Sequence, residues 1–193
     1  MLDKSGYWAP NIAVDGVVVP PTRASIYYNN DGKALASIKS LPANLRIVAG
    51  DAHATAPQGL AITSWDCGAN DPTPPSVDVP VCPNGTLVLH VRFPDCWDGI
   101  NRDSADHQSH MAYNVNNACP GTHPVPVPRL RINVHYSTLG GAGTVLSSGG
   151  QYSGHADFFN GWNATELRRL VKLCIKGGLT IQDPRSDANP NNG

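Results

Sequence analysis

The clearest alternation of apolar and polar positions runs through Thr86-Leu87-Val88-Leu89-His90-Val91-Arg92-Phe93. Leu87, Leu89, Val91 and Phe93 recur at every second position, the period of a strand with one buried face, and Val88, His90 and Arg92 take the other. A second run, Leu130-Arg131-Ile132-Asn133-Val134-His135-Tyr136, has the same period. Leu130, Ile132, Val134 and Tyr136 share one face and Arg131, Asn133 and His135 the other, so the two runs are natural partners. On this pattern His90 and His135 are expected as solvated strand histidines. Shorter strands are expected at Val14–Val19, interrupted by Asp15-Gly16 and stopped by Pro20-Pro21, at Ala24–Tyr28, and at Leu45–Ala49 ending on Gly50-Asp51. Asn29-Asn30-Asp31-Gly32 supplies turn chemistry after the second of these. From Cys67 to Pro83, Pro and Asp dominate without a period, which predicts a surface loop.

The period changes to that of a helix once. Asn163 stands where an N-cap belongs, with Glu166 three residues on. Leu167, Leu170, Val171 and Cys174 then fall at i, i+3, i+4 and i+7, a single apolar stripe, with Arg168, Arg169, Lys172 and Lys176 off it. Gly177-Gly178 ends the helix. These elements predict a mainly β protein, a β-sandwich or jelly-roll-like set of antiparallel sheets with long loops and one C-terminal α-helix. Residues 1–180 are expected to form one domain and 181–193, which lack apolar anchors, a flexible tail.

Composition narrows the function classes. Lys and Arg total 14 and Asp and Glu 15, for a net charge of −1, which argues against a nucleic-acid binder built on a basic patch. Hydrophobic residues at 40% suffice for a core, and no apolar run approaches the ~18 residues that span a bilayer. There is no phosphate-binding Gly-Lys-Ser/Thr loop, HExxH, CxxC or nucleophile elbow, and "GGAGTVLSSGGQ" lacks dinucleotide spacing, so no nucleotide cofactor is expected. The five cysteines, Cys67, Cys82, Cys96, Cys119 and Cys174, match no zinc spacing. They read as mostly disulfide-bonded in an exported protein, with one left over.

Candidate chemistry is densest in "FPDCWDGINRDSADHQSHMAY", which holds Asp95, Asp98, Asp103, Asp106, His107, His110, Cys96 and Trp97. In helical geometry Asp103, His107 and His110 would share a face. Imidazoles beside carboxylates can move protons near neutral pH or bind a divalent metal. The plain alternative is an Asp-rich loop whose side chains cap turns. In "YSGHADFFNGW", His155 and Asp157 would point to one face of a strand, with Tyr152 and Trp162 as platforms for sugar rings. The plain alternative sends Phe158, Phe159 and Trp162 to the core and holds His155 by a structural hydrogen bond. In "CPGTHPVPVPRL", His123 follows Cys119, and a Cys96–Cys119 bridge would draw it towards His107 and His110.

Together with "DKSGYWAP" and "IVAGDAHATAPQ", these strings are similar to the exported domain-of-unknown-function family DUF1996 of bacteria and fungi, in order from about Asp3 to Cys174. The resemblance implies a secreted or surface-attached protein in a glycan-rich setting. It also implies one site shared by Trp97, Asp98, Asp103, Asp106, His107, His110, His123, His155 and Asp157. Family members usually carry an export signal and a His-x-His segment with cysteines ahead of the part corresponding to "DKSGYWAP". Without that segment a shared site would be incomplete and the odd cysteine explained.

The expectation is an exported domain acting on polysaccharide or cell-wall glycan from a β-sheet cleft. His110 or His155 would be acid or base, oriented by Asp106 or Asp157, and Trp97, Trp162, Tyr113 and His123 would hold substrate. Hydrolysis would use Asp98 and Asp157 as its carboxylate pair. A lyase would set His110 with Arg129 or Arg92 against a sugar carboxylate. Two other readings stay open. One is a non-catalytic carbohydrate or cell-surface binding module. The other is a metal-binding domain with His107, His110, His155 and Asp157 around zinc or copper.

Overall fold

A computed structural model describes residues 2–71 and 73–179, so the expected tail at 181–193 lies outside the described residues. The strands are β1 (Gly6–Trp8), β2 (Ile12–Val14), β3 (Val17–Val19), β4 (Pro21–Asn29), β5 (Arg46–Gly50), β6 (Thr63–Asp66) and β7 (Thr86–Arg92). They continue as β8 (Cys96–Trp97), β9 (Met111–Ala112), β10 (Val125–Pro126), β11 (Arg129–Ser137), β12 (Thr144–Leu146) and β13 (His155–Phe159). One helix follows, α1 (Ala164–Leu170), carried on by a π-helical segment at Val171–Lys176. The strands form antiparallel sheets in the orders β4-β11-β7-β6, β1-β13-β5, β12-β2-β3 and β10-β8-β9.

The two alternating runs do pair. Leu89 lies opposite Val134 and Val91 opposite Ile132, so the apolar faces of β7 and β11 coincide. The three-stranded sheet β1-β13-β5 packs its own apolar side, Ile47, Ala49, Ala156 and Phe158, into the same core. The Phe158 ring meets Phe93 at 6.3 Å and Tyr28 at 6.5 Å, edge-on in both cases. Burying such a ring contributes about 1.5–3 kcal/mol, so this contact is a principal tie between the sheets.

Three expectations change. Val14–Val19 is no single edge strand: Asp15 and Gly16 both take positive φ (49° and 81°), and β2 and β3 fold back as a hairpin. His90 is not solvated. β7 is an interior strand, and His90 is 8% exposed, hydrogen-bonded through Nε2 to Asp66 Oδ2 (2.7 Å) and through Nδ1 to Asn133 Oδ1 (2.8 Å). His135 is half-buried, its Nε2 accepting from Arg23 Nη2 at 3.1 Å. The helix starts where the cap predicts, with Asn163 Oδ1 accepting from the amides of Thr165 and Glu166. Glu166 does not complete a box, because its carboxylate pairs with Arg169 instead (2.7 and 2.9 Å).

Cys67–Cys82 closes the Pro- and Asp-rich loop, Cys96–Cys119 ties the segment before the His-rich loop to the His123 loop, and Cys174 is the free thiol. Among the described residues no helix is long and apolar enough to cross a membrane.

Candidate functional site

Along β13, Ala156 and Phe158 face the core, so His155, Asp157 and Phe159 take the other face, where His155 is buried and the other two are exposed. Register sets their neighbours. Trp8 and Val48 flank Asp157, while Gly6 and Arg46 flank Phe159. Trp8 is 50% exposed and Phe159 38%, an unusual amount of aromatic surface to leave in water, and the Arg46 guanidinium lies 5.6 Å from the Phe159 ring. These side chains and His107 line a groove of about 380 Å³. A smaller hollow of about 210 Å³ adjoins it across Val48, lined by Gly50, Gln58, Gln108, Met111 and Tyr113.

His107 reaches the groove because its loop extends the sheet. The free edge of β5 donates Arg46 N to Arg102 O and Val48 N to His107 O, both at 2.9 Å. The loop is not helical, and His107 has φ +55°. Asp103 and His107 nevertheless meet: Nδ1 donates to Asp103 Oδ1 at 2.5 Å, and Asp103 Oδ2 stands 3.5 Å from Arg46 Nη1. Hydrogen bonding by His107 is the main cause holding the Asp103 carboxyl below its usual range.

The other loop carboxylates cap turns. Asp98 Oδ1 accepts from the amides of Ile100 (2.8 Å) and Asn101 (2.9 Å), and these donors outweigh the raising effect of burial, leaving its pKa lowered. Asp106 Oδ1 accepts from the amides of Ser109 (2.9 Å) and Gln108 (3.0 Å) and from the hydroxyls of Ser104 (2.7 Å) and Ser109 (3.0 Å). The Ser109 amide is the first cause of its strongly depressed pKa. Carboxylates held ionised this way are poor proton donors at neutral pH.

The remaining sequence candidates scatter. His110 is 2% exposed; its Nδ1 is bonded to Ser104 Oγ (2.8 Å), and its Nε2 has no partner among the described residues. His155 is buried beside Trp8, ring centroids 5.2 Å apart, with Nδ1 donating to Ser153 O. Neither lines the groove or the hollow. The Cys96–Cys119 bridge does bring His123 to the loop, where Nε2 donates to Ser109 O at 3.1 Å. The Trp97 indole is tied to Asn101 O at 2.5 Å.

Several candidates are corrected by their surroundings. Trp162 is no platform: it lies in the core with Nε1 donating to Tyr28 OH. The Tyr113 hydroxyl donates to Arg92 O, and its ring lines only the smaller hollow. Arg129 is buried and has no charge to spare for a substrate, since Nη1 meets Asp31 (2.6 Å) and Nη2 meets Asp95 (3.0 Å), with Lys33 and Asn114 completing the cluster. Among the described residues no three His, Cys, Asp or Glu side chains converge to hold a metal ion. His107, His110, His155 and Asp157 form no such set. The first three each spend Nδ1 on a different local partner, Asp103, Ser104 and Ser153.

The structure therefore brings together His107, Asp103 and Asp157, and adds Trp8, Phe159 and Arg46, which sequence reasoning missed. Strict alternation back from Phe158 would have found Phe159. The order Tyr7-in, Trp8-out would have found Trp8 once β1 was recognised as a strand. The domain of unknown function DUF1996 matches residues 1–162 by its family model. The chain belongs to the DUF1996 family. Comparison with curated proteins and with solved structures finds no match. The DUF1996 match spans both disulfides, the loop at 98–110 and the whole groove, and stops before α1.

Proposed function

We propose that this DUF1996 chain is an exported polysaccharide-binding domain that seats a glycan in the groove over β1, β13 and β5. One observation carries the reading: Trp8 and Phe159 leave aromatic surface exposed in a groove that also holds Asp157, Arg46 and His107. Flat aromatic faces with a few polar groups at their edges suit sugar rings, which have apolar faces and hydroxyl rims. The two disulfides suit an oxidising compartment.

Affinity electrophoresis against a panel of neutral and acidic polysaccharides tests the proposal. At least one member should retard the protein, and Trp8→Ala should weaken that binding about tenfold or more, roughly 1.4 kcal/mol per decade. Retardation that is identical in Trp8→Ala would refute it.

The His107–Asp103 pair favours a second reading, turnover of the bound glycan. Its Nδ1 is oriented by a carboxylate while Nε2 has no hydrogen-bond partner among the described residues, the arrangement of an acid–base imidazole. With Asp98 and Asp106 committed to turns, His107 is the group left for proton transfer beside Asp157. If the groove cleaves its ligand, His107→Ala abolishes release of product. No product from the wild-type chain across the panel leaves binding as the whole activity.

A further inference from the structure

The sheet β4-β11-β7-β6 has a second face, turned away from the core. Register arranges it in rows across the strands: Asn29–Arg129, Tyr27–Arg131–Arg92, Ser25–Asn133–His90–Ser64 and Arg23–His135–Val88–Asp66. Asn133, His90, Ser64 and Val88 are buried, so the open part of the face runs along β4. Arg129 falls on the same face but is neutralised by Asp31 and Asp95, which leaves three guanidiniums, Arg23, Arg92 and Arg131, against one carboxylate, in a chain whose net charge is −1. That carboxylate, Asp66, is taken by His90. Among the described residues none of the three arginines has a carboxylate partner. Arg23 donates to His135, and Arg92 donates to Leu60 O (2.9 Å) and Ser64 Oγ (3.0 Å). Arg131 lies 4.9 Å from the Tyr27 ring, and its buried Nε has no hydrogen-bond partner.

Burial first, and then the like charges of Arg131 and Arg129, hold the Arg92 guanidinium below the usual arginine range. Burial, followed by Arg23 and His90, likewise pushes the His135 imidazole down.

We propose that this face binds the carboxylates of an acidic polysaccharide. The inference goes beyond the groove and does not rest on it. Arg131 and Arg92 stand on neighbouring strands, about 5 Å apart at the backbone, and Arg23 lies about 13 Å further along β4 from Tyr27. Anions spread over that distance belong to an extended chain, not to one small ion. Guanidinium forks match carboxylates bidentately, and Tyr27, 44% exposed with the Arg131 guanidinium over its ring, adds aromatic surface beside them. A nucleic acid is the weaker fit, because its affinity comes from neutralising a long row of phosphates, and three arginines with one acid beside them make a short row.

Binding of the intact protein to polygalacturonate, to its fully methyl-esterified form and to single-stranded oligothymidylate tests the proposal. Polygalacturonate should bind, more weakly as salt is raised, and the ester at least tenfold more weakly than the acid. Arg23→Gln and Arg131→Gln should each lower affinity several-fold, and together at least tenfold, with melting temperature unchanged. Arg131→Lys should recover part of the loss. No binding of polygalacturonate, equal affinity for the ester, or a double variant that binds like wild type would overturn the assignment. So would tighter binding of oligothymidylate. Loss of polygalacturonate binding in Trp8→Ala with the arginine variants unaffected would place the anion in the groove instead and overturn it as well.

Discussion

The side chain of Asp106 accepts from two backbone amides and two hydroxyls between Ser104 and Ser109, so its charge organises the loop that carries His107 to the groove. Asp98 and Asp103 work nearby in the same way, and all three are held below the usual carboxylate value of 3.8. A depressed folded-state pKa stabilises above the unfolded value and ceases to stabilise as pH falls through the folded one. Asp106→Ala should therefore melt below wild type at pH 6–7, with the gap narrowing as pH drops below about 4. A gap that stays constant down to pH 2 would contradict the capping role. Arg129 marks the limit of residue-level reading. Its neighbours in sequence, Pro128 and Leu130, give no sign that Asp95, 34 positions away, has already taken its charge. An arginine available to a ligand and one locked in a buried cluster look the same until the partners are placed.

At the scale of elements, periodicity was informative wherever one face of an element is dry. The apolar stripe of the C-terminal helix is buried as its spacing requires, with Leu167 and Leu170 in the core and Cys174 at its edge. Leu170→Ala should cost about 2–5 kcal/mol in denaturant unfolding, and a change near zero would show the helix to be peripheral. The strands β7 and β11 were legible for the same reason. What alternation does not reveal is whether the polar face of a strand is wet. His90 lies on that face yet is enclosed, because β7 has strands on both sides and Asp66 and Asn133 bracket its ring. The loop at 98–110 misled in the opposite sense. The i, i+4 spacing suited a helix, and Asp103 and His107 do meet, but through turns capped by Asp98 and Asp106. Local hydrogen bonds from Asp and Ser outcompete a helical ladder there.

For the whole molecule, the two disulfides set how tightly the loops are held against the sheets. Cys67–Cys82 closes a loop with a sequence separation of 15, which restricts the unfolded chain by about 3 kcal/mol, and the longer Cys96–Cys119 loop by slightly more. Reduction should lower the melting temperature by many degrees, and Cys174→Ser, which removes only the free thiol, should not reproduce that loss. The sequence by itself determined the β class, the single C-terminal helix, its cap, the paired central strands and the oxidised cysteines. Each of these follows from local periodicity, local capping or composition. The tertiary structure alone decided which candidates share a surface. His107 joins Asp157 because β5 hands the edge of its sheet to a loop more than fifty residues further along the chain, while Trp162 and Arg129 are drawn inward by partners equally remote. Such contacts depend on sheet order and register, and no spacing within a single segment encodes them.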